Sequence, residues 1–356
     1  MKILFVTSYM GFGGTERVIS VIASELSRRG HQVGIYMTNA ICDCVYQLHE
    51  DVTLHHEDKR GNMLNVLLNL RKFTKKYDPD IVIPFMTYQC IYTCIALMFS
   101  KYPVVVCERN DPNKIAGSDA GKLHFIVRDM AFASALGAVF QTEGARDCFS
   151  HSIQKKSAVI LNPINTNFFA EINKGIEQNK IVNVGRLTEQ KNQSMLIRAF
   201  SKIKDEYSDL IVEIYGDGEK REELLSLAAE LGVSDRVYLM GNANDLNERI
   251  KDAKVFAFTS DYEGMPNALA EAMSIGLACV STDCSPGGAR MLIRDGINGI
   301  LCPCNDVDAF AQALRCVLSD DQYRKKLSEN AVLIRQTLSV SNIADQWEEY
   351  LKSLVK

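Results

Sequence analysis

The chain alternates short apolar runs with longer amphipathic stretches, and the series starts twice. Lys2-Ile-Leu-Phe-Val-Thr7 is a buried-type strand, Gly11-Phe-Gly-Gly14 a glycine turn, and the stretch from Glu16 to Arg29 carries apolar residues at helical spacing. Gly30 ends that helix, and Val33-Gly-Ile-Tyr-Met37 reads as the next strand. The plan returns at Lys180-Ile-Val-Asn-Val184, followed by Gly185-Arg-Leu-Thr188, a helix from about Asn192 to Lys204, and the strand Leu210 to Tyr215. Such alternation predicts an α/β fold with a parallel sheet covered on both faces. Two series predict two doubly wound domains. Periodicity breaks at Leu161-Asn-Pro-Ile-Asn-Thr-Asn-Phe-Phe169 and in the polar residues to Asn179. The expected division is residues 1–165, a linker at 166–179, and residues 180–338. A last helix, about Val340 to Leu354 within 339–356, precedes no strand. Its Ile343, Trp347, Tyr350 and Leu351 need a partner, and the N-terminal domain is one option.

At 356 residues and 47% apolar content the chain can bury a large core, and its length favours two domains. No run approaches the roughly 18 apolar residues of a membrane span. The expected location is therefore the cytosol, with the eleven cysteines reduced. Cys42-Asp-Cys44 and Cys302-Pro-Cys304 are too closely spaced for a two-residue-gap zinc clip, and read as ordinary thiols. Residues through 165 carry 18 Lys+Arg against 15 Asp+Glu, and the remainder 22 against 29. That mild asymmetry lacks the clustered basic surface a nucleic-acid partner requires. It leaves room for an anionic acceptor on the N-terminal half.

The most informative segment is Thr259-Ser-Asp-Tyr-Glu-Gly-Met-Pro-Asn-Ala-Leu-Ala-Glu-Ala-Met, with Glu263 before a helix start and Glu271 inside the helix. Spacing alone means little, because 21 glutamates in 356 residues supply roughly one such pair by chance. Glu222 and Glu230 are that decoy. They lie on a helix whose Leu224, Leu225 and Leu231 form the apolar face and leave the acids in water. Glu263 differs in setting: the strand-like Val255-Phe-Ala-Phe-Thr259 runs into it, and Pro266 suits the first turn of the following helix. The amides at that helix start form an anion site.

Taken together, Glu263-Gly-Met-Pro-Asn-Ala-Leu-Ala-Glu271, Asn183-Val-Gly-Arg186-Leu-Thr-Glu-Gln-Lys191-Asn, Tyr215-Gly-Asp-Gly-Glu219 and Asp295-Gly-Ile-Asn-Gly-Ile-Leu301 resemble the retaining glycosyltransferases of the GT-B fold, family 4. The resemblance covers nearly the whole chain and is densest over residues 180–310. It implies two Rossmann-like domains facing across a cleft, and a nucleotide-sugar donor. Arg186 offers a planar fork and Lys191 a compact cation for the diphosphate. With the amides of Met265 and Asn267 they would stabilise charge developing on the leaving phosphate. The resemblance places the transferred sugar against Glu263 and Gly264 and the ribose hydroxyls on Glu271, since an ionised carboxylate only accepts. It makes Glu263, Arg186 and Lys191 the catalytic set. Gly13 and Gly14 would let backbone approach the donor diphosphate or the acceptor, although Gly11-Phe-Gly-Gly-Thr-Glu-Arg17 departs from Gly-x-Gly-x-x-Gly at Glu16 and is otherwise a tight turn.

Two departures stand out. Many relatives carry a His where this chain has Val104-Val-Val-Cys-Glu-Arg-Asn-Asp111, so Glu108, Arg109 and Asp111 become candidates for the sugar or acceptor side; a buried Glu-Arg pair holding a loop is the alternative. In Pro286-Gly-Gly-Ala-Arg-Met-Leu-Ile293, Met291 stands where relatives often have Glu, and Gly287 and Gly288 line the sugar pocket in the resemblance. Asp78-Pro-Asp80 and Asp306-Val-Asp308 match the Asp-x-Asp of metal-dependent transferases, but read as a turn and a helix cap. No metal and no cofactor are expected.

Asn62 to Lys76 is apolar along one side and ends in cations. One reading is a core-facing helix whose basic end complements its dipole. The other is contact with anionic lipid, to which Lys114, Lys122 and Arg128 would add. The expected activity is metal-independent transfer of a hexose or N-acetylhexosamine, from a UDP-sugar before GDP-mannose, to a growing polyprenyl-diphosphate-linked glycan at the inner face of the plasma membrane. A nucleotide-sugar 2-epimerase and a non-catalytic nucleotide-sugar-binding subunit share the two-domain plan.

Overall fold

The computed structural model describes residues 1–11, 13–39, 44, 46–56, 62–114, 122–164, 177–243 and 245–355. The chain divides into two compact units, Met1–Pro163 with Leu338–Lys356, and Ile164–Thr337. The expected linker at 166–179 lies largely outside the described residues.

Unit 1 runs β1 (Lys2–Thr7), α1 (Gly14–Arg28), β2 (Gln32–Met37), β3 (Thr53–His56), α2 (Met63–Tyr77), β4 (Ile81–Pro84), α3 (Thr87–Ala96), β5 (Val105–Cys107), α4 (Lys122–Ser134), β6 (Gly137–Phe140), α5 (Glu143–Asp147), α6 (His151–Gln154) and β7 (Ser157–Val159). All strand pairs are parallel, in the order β3-β2-β1-β4 and β5-β6-β7. Bridges Val82 to Val104 and Phe85 to Cys107 join the two sheets edge to edge. β1 is buried from Ile3 to Thr7 on both faces, which is why its sequence is a continuous apolar run. Gly30, at φ 86°, ends α1 with its N–H on the Ser27 carbonyl and that of His31 on Leu26.

Unit 2 runs β8 (Gln178–Val184), α7 (Gln193–Ser201), β9 (Ile211–Tyr215), α8 (Arg221–Glu230), β10 (Val237–Gly241), α9 (Leu246–Ile250), β11 (Ala253–Phe258), α10 (Asn267–Ser274), β12 (Ala278–Thr282), α11 (Gly288–Leu292), β13 (Ile300–Cys302), α12 (Val307–Ser319), α13 (Asp321–Ala331) and α14 (Ile334–Thr337). Its six strands are parallel in the order β10-β9-β8-β11-β12-β13. The chain winds outward from β8 in one direction and from β11 in the other. The topological switch point therefore lies between β8 and β11, where ligands of open α/β sheets bind at the carboxyl ends.

The final helix, α15 (Val340–Leu354), belongs to unit 1. It buries Ile343, Ala344, Trp347 and Leu351, and the Trp347 ring stacks on Phe85 at 6.1 Å. The Tyr350 hydroxyl meets the Ala138 N–H at 2.9 Å and the Lys156 carbonyl at 2.5 Å.

Several expectations need correction. Leu225 is exposed on α8, which buries Leu224, Leu227 and Ala228 instead; Glu222 and Glu230 do face water. Pro266 stands at the N-cap of α10, one residue before the first turn. Helix α2 does pack Leu67, Leu70, Phe73 and Tyr77 on the unit 1 core, but it leaves Leu64 and Leu68 exposed. Arg128 is buried, donates to the Pro112 carbonyl and pairs with Asp129, so it adds nothing to a surface. The Lys122 side chain lies outside the described residues. Among described residues, no helix is long and apolar enough to cross a membrane.

Candidate active site

In unit 2 the loops after β8 and β11 meet at the switch point. The first carries Arg186 and a 3-10 turn, Glu189–Lys191; Asn192, at φ 45°, then caps α7 by accepting from the Met195 N–H. The second carries Glu263 into the start of α10. Five bonds tie the loops together. Asp261 N–H donates to the Gln190 carbonyl (2.9 Å), Gln190 Nε2 to the Tyr262 carbonyl (2.8 Å), and Thr259 Oγ1 to the Lys191 carbonyl (3.0 Å). Asn192 Nδ2 donates to Asp261 Oδ1 (2.8 Å), and Lys191 Nζ donates to Glu263 Oε1. The sequence motifs, some seventy residues apart, are thus one constellation.

Their side chains present a graded charge. Arg186 is exposed and forms no ion pair among the described residues. Lys191 and Glu263 are paired and mostly buried, with the ammonium 5.6 Å from the Phe258 ring centre. Glu271 is buried inside α10, whose first-turn N–H groups lack carbonyl partners within the helix and add partial positive charge. Four buried polar atoms around the same strand ends have no hydrogen-bond partner: Asn183 Oδ1, Thr188 Oγ1, Gln193 Oε1 and Ser260 Oγ. Buried polar groups without a protein partner are rare, and these four gather at one pair of strand ends. Sequence reasoning gave no role to Thr188, Gln193 or Ser260; the signal was their position at the ends of β8 and β11.

Glycines set the close approaches. Gly216, at φ 134°, lies so near the Gly185 carbonyl that a Cβ would overlap it, which holds the β9 loop against the Arg186 turn. Gly288 is pressed on the Gly264 carbonyl and Pro266 Cδ, so the loop after β12 backs the start of α10. Glu263 N–H donates to the Ser285 carbonyl (2.8 Å) in the same contact. Gly288→Ala is expected to displace Gly264 and Pro266, lower activity at least tenfold and destabilise the protein by about 1–3 kcal/mol. A kcat and melting point matching wild type would show that this backing is slack.

The remaining candidates lie in unit 1. Gly13 exchanges hydrogen bonds with the Tyr46 hydroxyl through both N–H (3.2 Å) and carbonyl (3.0 Å), and the Glu16 carboxylate fills the space beside its α-carbon. Gly14 is the first residue of α1. Glu108, Arg109 and Asp111 are buried beyond β5. Glu108 and Arg109 form no side-chain pair. The Glu108 carboxylate accepts from Thr87 Oγ1 (2.6 Å) and the Arg109 N–H (3.0 Å), and burial pushes its pKa up. The Arg109 guanidinium donates to Asn162 and lies over the Phe85 ring, while its Nε and Nη1 have no partner. Burial pushes that group down to about 10. Asp111 accepts from the Asn113 N–H (2.9 Å).

The Asp-x-Asp matches take part in local structure. Asp78 ends α2 in the left-handed conformation and pairs with Lys101, while Asp80 accepts from the Lys2 N–H. Asp306 caps α12, as its position before that helix predicts, and Asp308 pairs with Lys202.

Known proteins resemble the chain over both of its halves. The family model for glycosyl transferases group 1 matches residues 165–333, and that for glycosyltransferase family 4 matches residues 12–168. A Campylobacter jejuni GalNAc-α-(1→4)-GalNAc-α-(1→3)-diNAcBac-PP-undecaprenol α-1,4-N-acetyl-D-galactosaminyltransferase is 26% identical over 98% of this chain and 97% of its own. A second C. jejuni protein, an N-acetylgalactosamine-N,N'-diacetylbacillosaminyl-diphospho-undecaprenol 4-α-N-acetylgalactosaminyltransferase, is 27% identical over 96% and 97%. Among solved structures, Anabaena HepE in complex with UDP-glucose superposes with a TM-score of 0.85 at 20% identity, covering 99% of this chain and all of that one. With one glycosyltransferase family model on each half, a parallel-sheet α/β unit in each, and a fold shared with HepE, the chain is a glycosyltransferase of the GT-B fold.

Proposed function

We propose that the protein is a retaining, metal-independent hexosyltransferase of family 4. It moves a hexose or N-acetylhexosamine from a UDP-sugar to a hydroxyl of a polyprenyl-diphosphate-linked surface glycan at the cytoplasmic membrane face, forming an α-linkage. The observation that carries the reading is the switch-point constellation, with the Arg186 and Lys191 cations, the Glu263 and Glu271 carboxylates and a helix start at one pair of strand ends. The C. jejuni relatives, whose names specify undecaprenyl-diphosphate glycans, and the UDP-glucose complex of HepE support the acceptor and donor classes.

In this reading Arg186, Lys191 and the α10 amides bind the diphosphate. Glu271 accepts from the ribose hydroxyls and Glu263 from the sugar. The bond from the anomeric carbon to the β-phosphate oxygen breaks while the acceptor oxygen bonds to the same face, and the acceptor proton passes to the leaving phosphate. Cations fixed beside that oxygen stabilise the transition state more than the ground state. Glu108, Arg109 and Asp111 serve the acceptor or sugar side from unit 1, where the unpartnered Arg109 nitrogens suit an anionic or hydroxyl-rich group.

The test is incubation of the purified protein with undecaprenyl-diphosphate-linked glycan and a panel of UDP-sugars and GDP-mannose, in EDTA. One added sugar with an α-linkage is expected from a UDP-sugar. A strict Mg²⁺ requirement, a β product or transfer only from GDP-mannose would each overturn its part. Conversion of UDP-GlcNAc without acceptor would make the protein an epimerase.

A further inference from the structure

α2, α3 and α4 pack side by side on one face of the unit 1 sheet, with α3 in contact with both neighbours. Their inward residues, among them Leu70, Ile91 and Phe132, form the core with β1, β4 and β5. Outward residues of surface helices are usually polar, yet several here are large and apolar. Leu64 and Leu68 of α2, Leu123, Ile126 and Met130 of α4, and Phe99 just beyond α3 are 55–97% exposed. Phe99 is held at φ 58°, a conformation bulky residues avoid, by the tight turn after α3; Arg71 of α2 donates to the adjoining Met98 carbonyl (3.1 Å). That bond ties the end of α3 to α2, and α3, which packs between α2 and α4, adds with the turn after it exposed Tyr88, Ile95 and Met98 to the apolar positions on either side. Soluble monomers rarely leave such a patch uncovered.

Among the described residues of the three helices, the exposed charge is mostly basic. Leu64, Leu68, Lys72 and Lys75 follow one another at i, i+4, i+8 and i+11, so the lysines continue the apolar stripe of α2. Lys72, Lys75 and Lys76 are exposed and form no ion pair among the described residues. Asp129 is the single acidic residue of the three helices, and Arg128 neutralises it. Apolar side chains flanked by unpaired lysines match the acyl boundary and the phosphates of an anionic bilayer, and complement nothing on a neutral surface.

We propose that the outward face of α2, α3 and α4 docks the protein on membranes rich in anionic lipid. The proposed function supplies a lipid-linked acceptor but no docking surface, and the proposal rests on that surface, not on the transferase reading. Its test uses vesicles without acceptor or donor. The full-length protein should co-sediment with vesicles of phosphatidylcholine containing 30% phosphatidylglycerol, bind pure phosphatidylcholine far less, and be released as salt rises. Lys72→Gln/Lys75→Gln should weaken partitioning roughly twenty-five-fold, at about fivefold per lysine near an anionic surface. Ile126→Gln/Met130→Gln should weaken it by a comparable factor, with melting points and UDP-induced thermal shifts unchanged in both variants. Equal binding to neutral and anionic vesicles, or undiminished binding of both variants, would overturn the proposal. A concentration-dependent dimer lost in Ile126→Gln/Met130→Gln would reassign the face to self-association.

Discussion

Lys191→Ala is expected to lower kcat/KM for sugar transfer by about 10²–10³-fold, the usual effect of deleting one preorganised group that stabilises developing charge. UDP affinity should fall by about 10–100-fold, as expected when a charged hydrogen bond to phosphate is lost. Lys191 is fixed from three directions, which makes the loss large: its carbonyl is held by Thr259, its ammonium by Glu263, and the Phe258 ring lies beside it. A pre-positioned cation costs little to organise when substrate arrives. The variant also strands the Glu263 carboxylate in a mostly buried place, so some stability is lost. The double variant Lys191→Ala/Glu263→Gln separates the two effects, because it should regain the melting temperature without regaining UDP affinity. Glu271→Ala, measured alongside, should also weaken UDP. Isothermal titration showing wild-type affinity for both Lys191→Ala and Glu271→Ala would remove the switch point as the donor site.

The largest stability effect should come from a residue remote in sequence from the rest of its unit. Trp347→Ala is expected to destabilise unit 1 by about 3–5 kcal/mol, the range for emptying a large aromatic site that cannot collapse. Trp347 is fully buried and stacks on Phe85, whose ring also touches Phe5 of the central strand and carries the Arg109 guanidinium on it. Its loss therefore empties the core and loosens the support beneath Arg109. For a unit of this size, the melting transition should drop by about 10 °C. Glu349→Ala, exposed on the same helix, is the control and should stay within about 0.5 kcal/mol of wild type. Equal melting curves for the two variants would mean that α15 adds little to unit 1.

Local patterns foretold what local physics decides. The strand-helix alternation, the stop at Gly30, the Asp306 cap and the solvated decoy pair Glu222 and Glu230 all follow from propensity, capping and period, and the structure contains each. The misreadings needed tertiary information. Apolar spacing in α2 is the same whether the stripe meets a core or a bilayer, so the exposure of Leu64 and Leu68 left no trace in the pattern. Leu225 fell on the wrong side of α8 because its neighbours Leu224 and Leu227 took the inward arc. At the site, residue types pointed to phosphate and hydroxyl chemistry. The bond between Lys191 and Glu263, and the pressure of Gly288 on Gly264, join segments far apart in the chain that only sheet order brings together.

The placement of α15 has a consequence in time. Unit 1 begins at Met1, yet the helix that completes it is synthesised after all of Ile164–Thr337. At ordinary translation rates, the intervening residues take roughly ten to thirty seconds to make. During that interval the nascent sheet of unit 1 carries an open aromatic slot at Phe85 while unit 2 emerges as one uninterrupted stretch. Unit 2 can therefore finish folding first, reversing the usual amino-to-carboxyl order. Pulse proteolysis of ribosome-bound chains, stalled through a C-terminal linker that keeps residues 338–356 inside the exit tunnel, would show it as protection of the second unit ahead of the first.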